Sequence, residues 1–477
     1  MMTDYDLVII GGGAAGLFTA SVANRLGAKT CLIDKTRLGG DCTWYGCMPS
    51  KTLLKSASIA AYFKKASEYG LEIQGEYNID TSGVMDHVQD IVNEIASHHP
   101  NEVFEKRGIT VIIGAPQFVD SSTIRVNNEQ INACKFVLCP GSHPMVLPID
   151  GLDTIDYLTN ETVFDLKSFP ESLIVLGGGP IGIELSQALS RLGVKVSIVE
   201  MMDRLLFREE KEASEIIEKK LHEDGVAIYT GKKAVKFAKN EEGVICTVED
   251  KEQKREEING ETVLVAIGRA PNVEGLALEK AGIDYSHKGV IVNEYLQTTN
   301  ESVFACGDVV GPYQFSHVAA YQASVVVRNA LFRKIARQKV NYTNITWATF
   351  TDPEVARLGM SEEEARGKNK KIKVYSSEYT AADRAITDAE KEGLVKVITN
   401  KKGFIMGATI IGASAGELMQ GFSLAKSLGI RLSKLGEVMY IYPTLSELVK
   451  KTAAKALVEK LDNPMIQFIL KIMKKIR

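Results

Sequence analysis

Asp6-Leu7-Val8-Ile9-Ile10-Gly11-Gly12-Gly13-Ala14-Ala15-Gly16 reads as a buried strand that runs into a glycine turn and out again as a helix. Gly11 permits the tight bend, Gly13 lets backbone approach a pyrophosphate, and Gly16 lets the helix pack close to the strand. The helix start adds amide donors and a positive dipole end. After a helical stretch the chain returns as Thr30-Cys31-Leu32-Ile33-Asp34, whose acid can accept from a ribose hydroxyl. The pattern recurs in Leu173-Ile174-Val175-Leu176, Gly177-Gly178-Gly179-Pro180-Ile181-Gly182, a helical stretch, and Val196-Ser197-Ile198-Val199-Glu200. In both copies the acid lies the same distance beyond the first glycine. One glycine turn is a weak signal, because such turns occur in many loops. Two complete copies predict two dinucleotide folds.

Between the copies lies Gly39-Gly40-Asp41-Cys42-Thr43-Trp44-Tyr45-Gly46-Cys47-Met48-Pro49-Ser50-Lys51. The cysteine spacing is about one helical turn, so both can lie on one face and close a small ring. Pro49 suits the first turn of a helix continuing through Leu53–Lys65. Cysteines at a helix N-terminus have depressed thiol pKa values, which favours reversible disulfide exchange over a purely structural role. Cys31, Cys134, Cys139, Cys246 and Cys306 sit in apolar company and read as small buried hydrophobes.

The 477 residues call for several domains, and 45% hydrophobic with 25% charged residues describes a globular chain. The formal charge of −3 carries no basic stripe before the last residues, which argues against a nucleic-acid partner. No apolar run is long enough to span a bilayer, and Tyr5–Ile10 is strand-like rather than part of a signal peptide. The cytoplasm is the expected compartment.

Short strands are expected at Ile109–Ile113, Thr123–Val126, Phe136–Leu138 and Val303–Cys306, and a helix around His317–Leu331. Pro144, Pro148 and Gly151 mark a crossover, and Arg269-Ala270-Pro271-Asn272 turns the chain back. Strands at Ile345–Phe350, Lys371–Tyr375, Leu394–Thr399 and Phe404–Ile411, with helices Gly416–Leu428 and Leu445–Leu461, read as a separate α+β domain. The expected domains are residues 1–148 and 271–342 for the first fold, 149–270 for the second, 343–462 for the α+β domain, and a tail, 463–477. As a helix, the tail puts Gln467, Lys471, Lys474 and Lys475 on one face, and Ile466, Phe468, Ile469, Leu470, Ile472, Met473 and Ile476 elsewhere. The expectation is that the apolar face packs on the protein or across a dimer; the alternative is peripheral contact with an anionic membrane.

These motifs, with Ala266-Ile267-Gly268-Arg269-Ala270-Pro271-Asn272, Ala305-Cys306-Gly307-Asp308 and Tyr442-Pro443-Thr444-Leu445-Ser446-Glu447, resemble the flavoprotein disulfide reductases over nearly the whole chain. That family contains dihydrolipoamide dehydrogenase, glutathione reductase and mercuric reductase. The resemblance implies an α/β fold class: two doubly wound nucleotide-binding domains, for FAD and NAD, plus a C-terminal α+β dimerisation domain. It implies FAD against Gly11, Gly13, Gly16, Asp34, Lys35, Gly40, Asp41, Cys42, Lys51, Ala115, Gly141 and Asp308. It implies NAD(H), with NADP(H) as the alternative, against Gly177, Gly179, Gly182, Glu184, Glu200 and Gly268. Cys47 would make the flavin contact and Cys42 would exchange with substrate. Lys51 and Glu184 match an ion pair beside the flavin ring, and a homodimer would bring Tyr442 and Glu447 to the partner's disulfide. The implied substrates are a small or protein-bound disulfide or a metal ion; no resident metal site is expected.

The sequence departs from that family in three places. Cys139-Pro140-Gly141 replaces Ala-Thr-Gly, Trp44-Tyr45 replaces an Asn-Val pair, and Tyr442 stands where thiol-handling members carry histidine. Mercuric reductases also have tyrosine there, but their terminal cysteine pair is replaced by Lys474-Lys475-Ile476-Arg477, so mercury detoxification is not the expectation. The expected function is electron transfer between NAD(P)H and a disulfide or metal ion through Cys42 and Cys47. The alternatives are a quinone reductase and a slow, redox-sensing or complex-docking flavoprotein.

Overall fold

The computed structural model describes residues 4–73, 78–241, 243–368, 371–461 and 464–475. The chain divides into two compact units: Met1–Gly177 with Ala188–Val199 and Lys233–Asn341, and Gly178–Gln187 with Glu200–Lys232 and Tyr342–Arg477. The division falls inside the second nucleotide fold.

In the first unit, Tyr5–Ile10 pairs in parallel with Thr30–Asp34 on one side and Glu129–Leu138 on the other. Thr110–Ile113 extends the sheet beyond Thr30–Asp34. Glu129–Leu138 serves two sheets. Its first half pairs antiparallel with Thr123–Val126, and its last residues take Val303–Ala305 in parallel. The parallel strands read as continuous apolar runs because both faces are covered. Leu7, Ile9 and Leu32 pack with the buried face of helix Ser316–Leu331, while Val8, Ile10 and Ile33 pack with Phe118, Phe136 and Leu278.

Ser172–Leu176 lies between Lys195–Glu200 and Thr262–Val265, all parallel, with Tyr157–Leu158 beyond. A separate antiparallel sheet is formed by Lys233–Asn240, Gly243–Glu249 and Arg255–Gly260. The expected turn at Arg269–Asn272 is instead a short strand, Arg269–Pro271, paired with Ser142–Pro144. Both crossings of the linker therefore run side by side, which places Arg269 beside the site described below.

The second unit holds a five-stranded antiparallel sheet in the order Thr346–Thr349, Glu354–Gly359, Ile405–Gly412, Leu394–Asn400, Ile372–Glu378. Helices Ala415–Ser427 and Glu447–Leu461 cover it through Phe422, Met419, Leu448 and Ala453. Glu354–Gly359 was not anticipated. Its charged residues disguise a buried strand, because Arg357 is buried and paired with Glu364 at 2.5 Å. Helix Pro464–Lys475 follows, with Met465, Phe468, Ile469, Leu470 and Ile472 exposed. The side chains of Met473 and Lys475, and all of Ile476, lie outside the described residues.

Candidate active site

The two glycine turns are closed by the same hydrogen bonds. The Gly12 amide donates to Asp34 Oδ2 (2.7 Å), and the amides of Thr36 and Arg37 donate to Oδ1 (2.9 and 3.0 Å). In the second copy the Gly178 amide donates to Glu200 Oε2 (2.7 Å) and the Met202 amide to Oε1 (2.6 Å). Each acid is thus oriented by its own turn while its oxygens keep lone pairs for a ligand. The middle glycines are as constrained as the flanking ones. A Cβ on Gly12 would stand 2.5 Å from Leu38 Cδ2, and one on Gly178 2.5 Å from Leu205 Cδ2.

Gly11, at φ +109°, has no space for a side chain: its Cβ would stand 2.0 Å from the Cys139 oxygen. Gly16 packs as closely on the Gly11 oxygen, and Gly40 on Gly13. Helix Ala14–Arg25 has no side-chain cap at its start. Bare backbone and an uncapped helix N-terminus are what a pyrophosphate needs, so this turn fits the adenosine diphosphate half of FAD. Lys35 and Ala115 are exposed, and Gly141 follows strand Glu129–Leu138 at φ +75°. In the second copy, a Cβ on Gly177 would press on Ala266, whereas Gly179 and Gly268 face open space. Gly182 lies in helix Pro180–Arg191.

Cys42 and Cys47 do not share one helix. Cys42 lies in the short helix Gly40–Trp44 and Cys47 opens helix Cys47–Lys64. The helix is interrupted at Tyr45 (φ −135°, ψ −3°) and Gly46 (φ −123°, ψ −107°), and five positions along one continuous helix would have set the two sulfurs about 140° apart around its axis. A hydrogen bond from Cys47 brings the Cys42 thiol down to about 6, and the same bond, with burial, pushes Cys47 up. Both shifts favour the thiolate at Cys42 and the proton at Cys47 in the reduced pair. Ser316, at the start of helix Ser316–Leu331, bonds to both sulfurs, and the Lys51 charge draws Cys47 down. Beside them the Arg37 guanidinium lies 3.5 Å from the Trp44 ring and donates to the Tyr45 hydroxyl (3.0 Å).

Arg269 gathers the carboxylates around this site. Its Nε donates to Ser142 Oγ (2.8 Å), its Nη1 to Asn160 Oδ1 (3.2 Å), and its Nη2 lies 3.1 Å from Asp41 Oδ1. Ser142 in turn donates to Asp308 Oδ2 (2.6 Å). Burial raises the Asp308 pKa, opposed by the Ser142 bond and the Arg269 charge. One cation therefore joins Asp41, next to Cys42, to the aspartate expected at the flavin.

In the second unit, the Tyr442 hydroxyl donates to Asp383 Oδ2 (2.9 Å), and this bond with the Asp383 charge raises the phenol's pKa. Glu447 opens helix Glu447–Leu461, and its Oε2 is buried without a hydrogen-bond partner among the described residues. Glu184 is buried and accepts from the Phe350 amide (2.8 Å). Among the described residues, no cluster of three or more His, Cys, Asp or Glu could hold a metal ion.

Residues 5–323 match the pyridine nucleotide-disulphide oxidoreductase family, and residues 345–453 its dimerisation domain. The chain belongs to the pyridine nucleotide-disulphide oxidoreductases. It is 34% identical to a mercuric reductase of Staphylococcus aureus over 452 residues, 94% of this chain and 82% of that protein. It is 33% identical to a dihydrolipoyl dehydrogenase of Bacillus subtilis over 448 residues, 92% of this chain and 96% of that protein. The solved Cu(II) complex of the HOCl-induced flavoprotein disulfide reductase RclA from Escherichia coli superposes with a TM-score of 0.83 at 26% identity, covering 93% of this chain and 98% of that one.

This oxidoreductase is FAD-dependent, uses NAD(P)H and has the family's two nucleotide folds and dimerisation domain. Within its first unit, the structure brings Cys42, Cys47 and Lys51 together with Ser316, and Asp41 and Asp308 together with Arg269. Sequence reasoning missed Ser316, Ser142, Asn160 and the role of Arg269, all far from the cysteines in the chain. It also missed Asp383 as the partner of Tyr442. Arg269 had a signal, since it sits inside the family-like stretch Ala266–Asn272, which gave a turn and a resemblance but no role for the arginine.

Proposed function

We propose that this oxidoreductase passes electrons from NADH through Cys42 and Cys47 to an acceptor that needs no histidine base, a soft or redox-active metal ion before a quinone or an activated disulfide. It works as a cytoplasmic homodimer whose Tyr442 serves the partner's disulfide. The observation that carries this reading is the exposed Tyr442 phenol bound to Asp383, which keeps its proton throughout the neutral range. Such a group donates a hydrogen bond but cannot collect a proton as histidine does.

FAD in the first fold would relay electron pairs between nicotinamide and sulfur. Asp34 and Asp308 would hold it, with Lys51 beside the sulfur that faces it. Glu200, aligned by Gly178 and Met202, would accept from a ribose 2′-hydroxyl and repel a 2′-phosphate, which favours NADH. Cys42 meets the acceptor as a thiolate, while Cys47 keeps the proton. When the pair closes to a disulfide it gives up two electrons and the one remaining proton. A metal ion takes the electrons and leaves that proton to solvent. A dithiol product would need protons returned to it. The relatives' names, mercuric reductase and a Cu(II) complex, support the metal-ion reading.

Oxidation of dihydrolipoamide is the second reading, favoured by the dihydrolipoyl dehydrogenase relative and by exposed His317 beside Ser316. Turnover with Hg(II), Cu(II), quinones and disulfides, using NADH and NADPH, separates these readings from a slow redox sensor, which would be poor with every acceptor. Tyr442→His should raise dihydrolipoamide turnover at pH 7 by about tenfold or more, and Tyr442→Phe should leave it within about twofold. Wild-type turnover of dihydrolipoamide on the order of hundreds per second, unimproved by the histidine, would decide for the second reading.

A further inference from the structure

Helix Pro464–Lys475 carries more apolar surface than its unit covers. Met465 is 72% exposed, Phe468 64%, Ile469 47% and Ile472 43%. At 100° per residue these four fall within one arc of about 100°, with Leu470 beyond it and Gln467, Lys471 and Lys474 on the opposite side. Val458 and Leu461, exposed on the preceding helix, lie just before this segment in the chain. A free helix of this length is marginal in water, so a segment patterned this way calls for a surface to lie on.

Charge decides which surface. From Pro464 to Arg477 the sequence has Lys471, Lys474, Lys475 and Arg477 and no acidic residue. A two-fold contact of two such helices through the apolar arc would leave Lys471 and Lys474 on the far side with no anionic partner. The complementary occupant is apolar with an anionic rim. The helix rises about 18 Å, too short to cross a hydrocarbon core of about 30 Å, so it would lie in the interface plane.

We propose that Pro464–Lys475 is an in-plane anchor that docks this oxidoreductase on bilayers rich in anionic lipid. Phe468, Ile469 and Ile472 enter the acyl boundary while Lys471 and Lys474 stay among the headgroups. The proposal is independent of the electron acceptor.

Its test is flotation of the flavin-loaded full chain with vesicles of phosphatidylcholine alone and of an equal mixture with phosphatidylglycerol. Comparison proteins are a chain ending at Asp462 and the double variant Phe468→Asp/Ile472→Asp, each checked for flavin content and for turnover with a soluble acceptor. The full chain should float with the mixed vesicles and bind phosphatidylcholine at least tenfold more weakly. Both altered proteins should lose at least tenfold in binding while keeping flavin and turnover. Equal flotation of the shortened chain, or no flotation of the full chain, would overturn the proposal. So would dissociation of the shortened chain to monomers in light scattering, which would assign the apolar face to a second copy.

Discussion

One proton is shared by the two sulfurs of the reduced pair, and its position decides which cysteine reacts. The Cys47 thiol donates to Cys42, whose pKa falls to about 6. In the reduced protein, iodoacetamide labelling of Cys42, followed by mass mapping, should therefore have its midpoint near pH 6, well below an ordinary thiol. Cys47→Ala removes the donor and stops stabilising the thiolate, so the midpoint should move up by at least one pH unit. An unchanged midpoint would mean that Ser316 or the helix ends set the reactivity instead. Both cysteines were legible because the residues flanking them form one continuous motif. Arg269, Ser142 and Asp308 were not, because their grouping is made by folding: Ser142 and Asp308 are 166 residues apart in the chain.

Each nucleotide fold contains a strand, turn and acid bound to one another, so the elements can be tested separately. Gly12→Ala would push against Leu38 and Asp34, and Gly178→Ala against Leu205 and Glu200. Overpacking of this kind costs about 1–3 kcal/mol. Gly12→Ala should lower the flavin content of the purified protein. Gly178→Ala should raise KM for NADH while flavin content is unchanged. The reverse pattern would exchange the assigned cofactors. Strand Glu354–Gly359 carries a different constraint. Arg357 faces Glu209, whose pKa is raised by burial and held back by Trp347 and Arg357. Arg357→Ala leaves that carboxylate uncompensated, for a loss of about 3–5 kcal/mol. The raised pKa means that the folded variant binds a proton more readily than the unfolded chain, so its stability should fall as pH rises. Thermal unfolding should accordingly show a larger deficit at pH 8 than at pH 5. The strand escaped sequence reading because a buried arginine breaks the apolar pattern from which strands are inferred.

Across the whole chain, the fold class was legible from a repeat, because each copy of a dinucleotide fold announces itself locally by strand, turn and acid. The tail was legible as an amphipathic helix but not as an exposed one, since periodicity shows that an apolar face exists and not what covers it. The two units also differ in a way that has practical use. The chain has two tryptophans, one in each unit: Trp44 stacked on Arg37 beside the redox pair, and Trp347 bonded to buried Glu209. Their indoles are therefore built-in fluorescent reporters of separate events. In a Trp347→Phe protein the remaining emission comes from Trp44 and should follow opening and closing of the Cys42–Cys47 pair. In a Trp44→Phe protein it should follow unfolding of the C-terminal unit, so redox state and integrity can be read without attaching a dye.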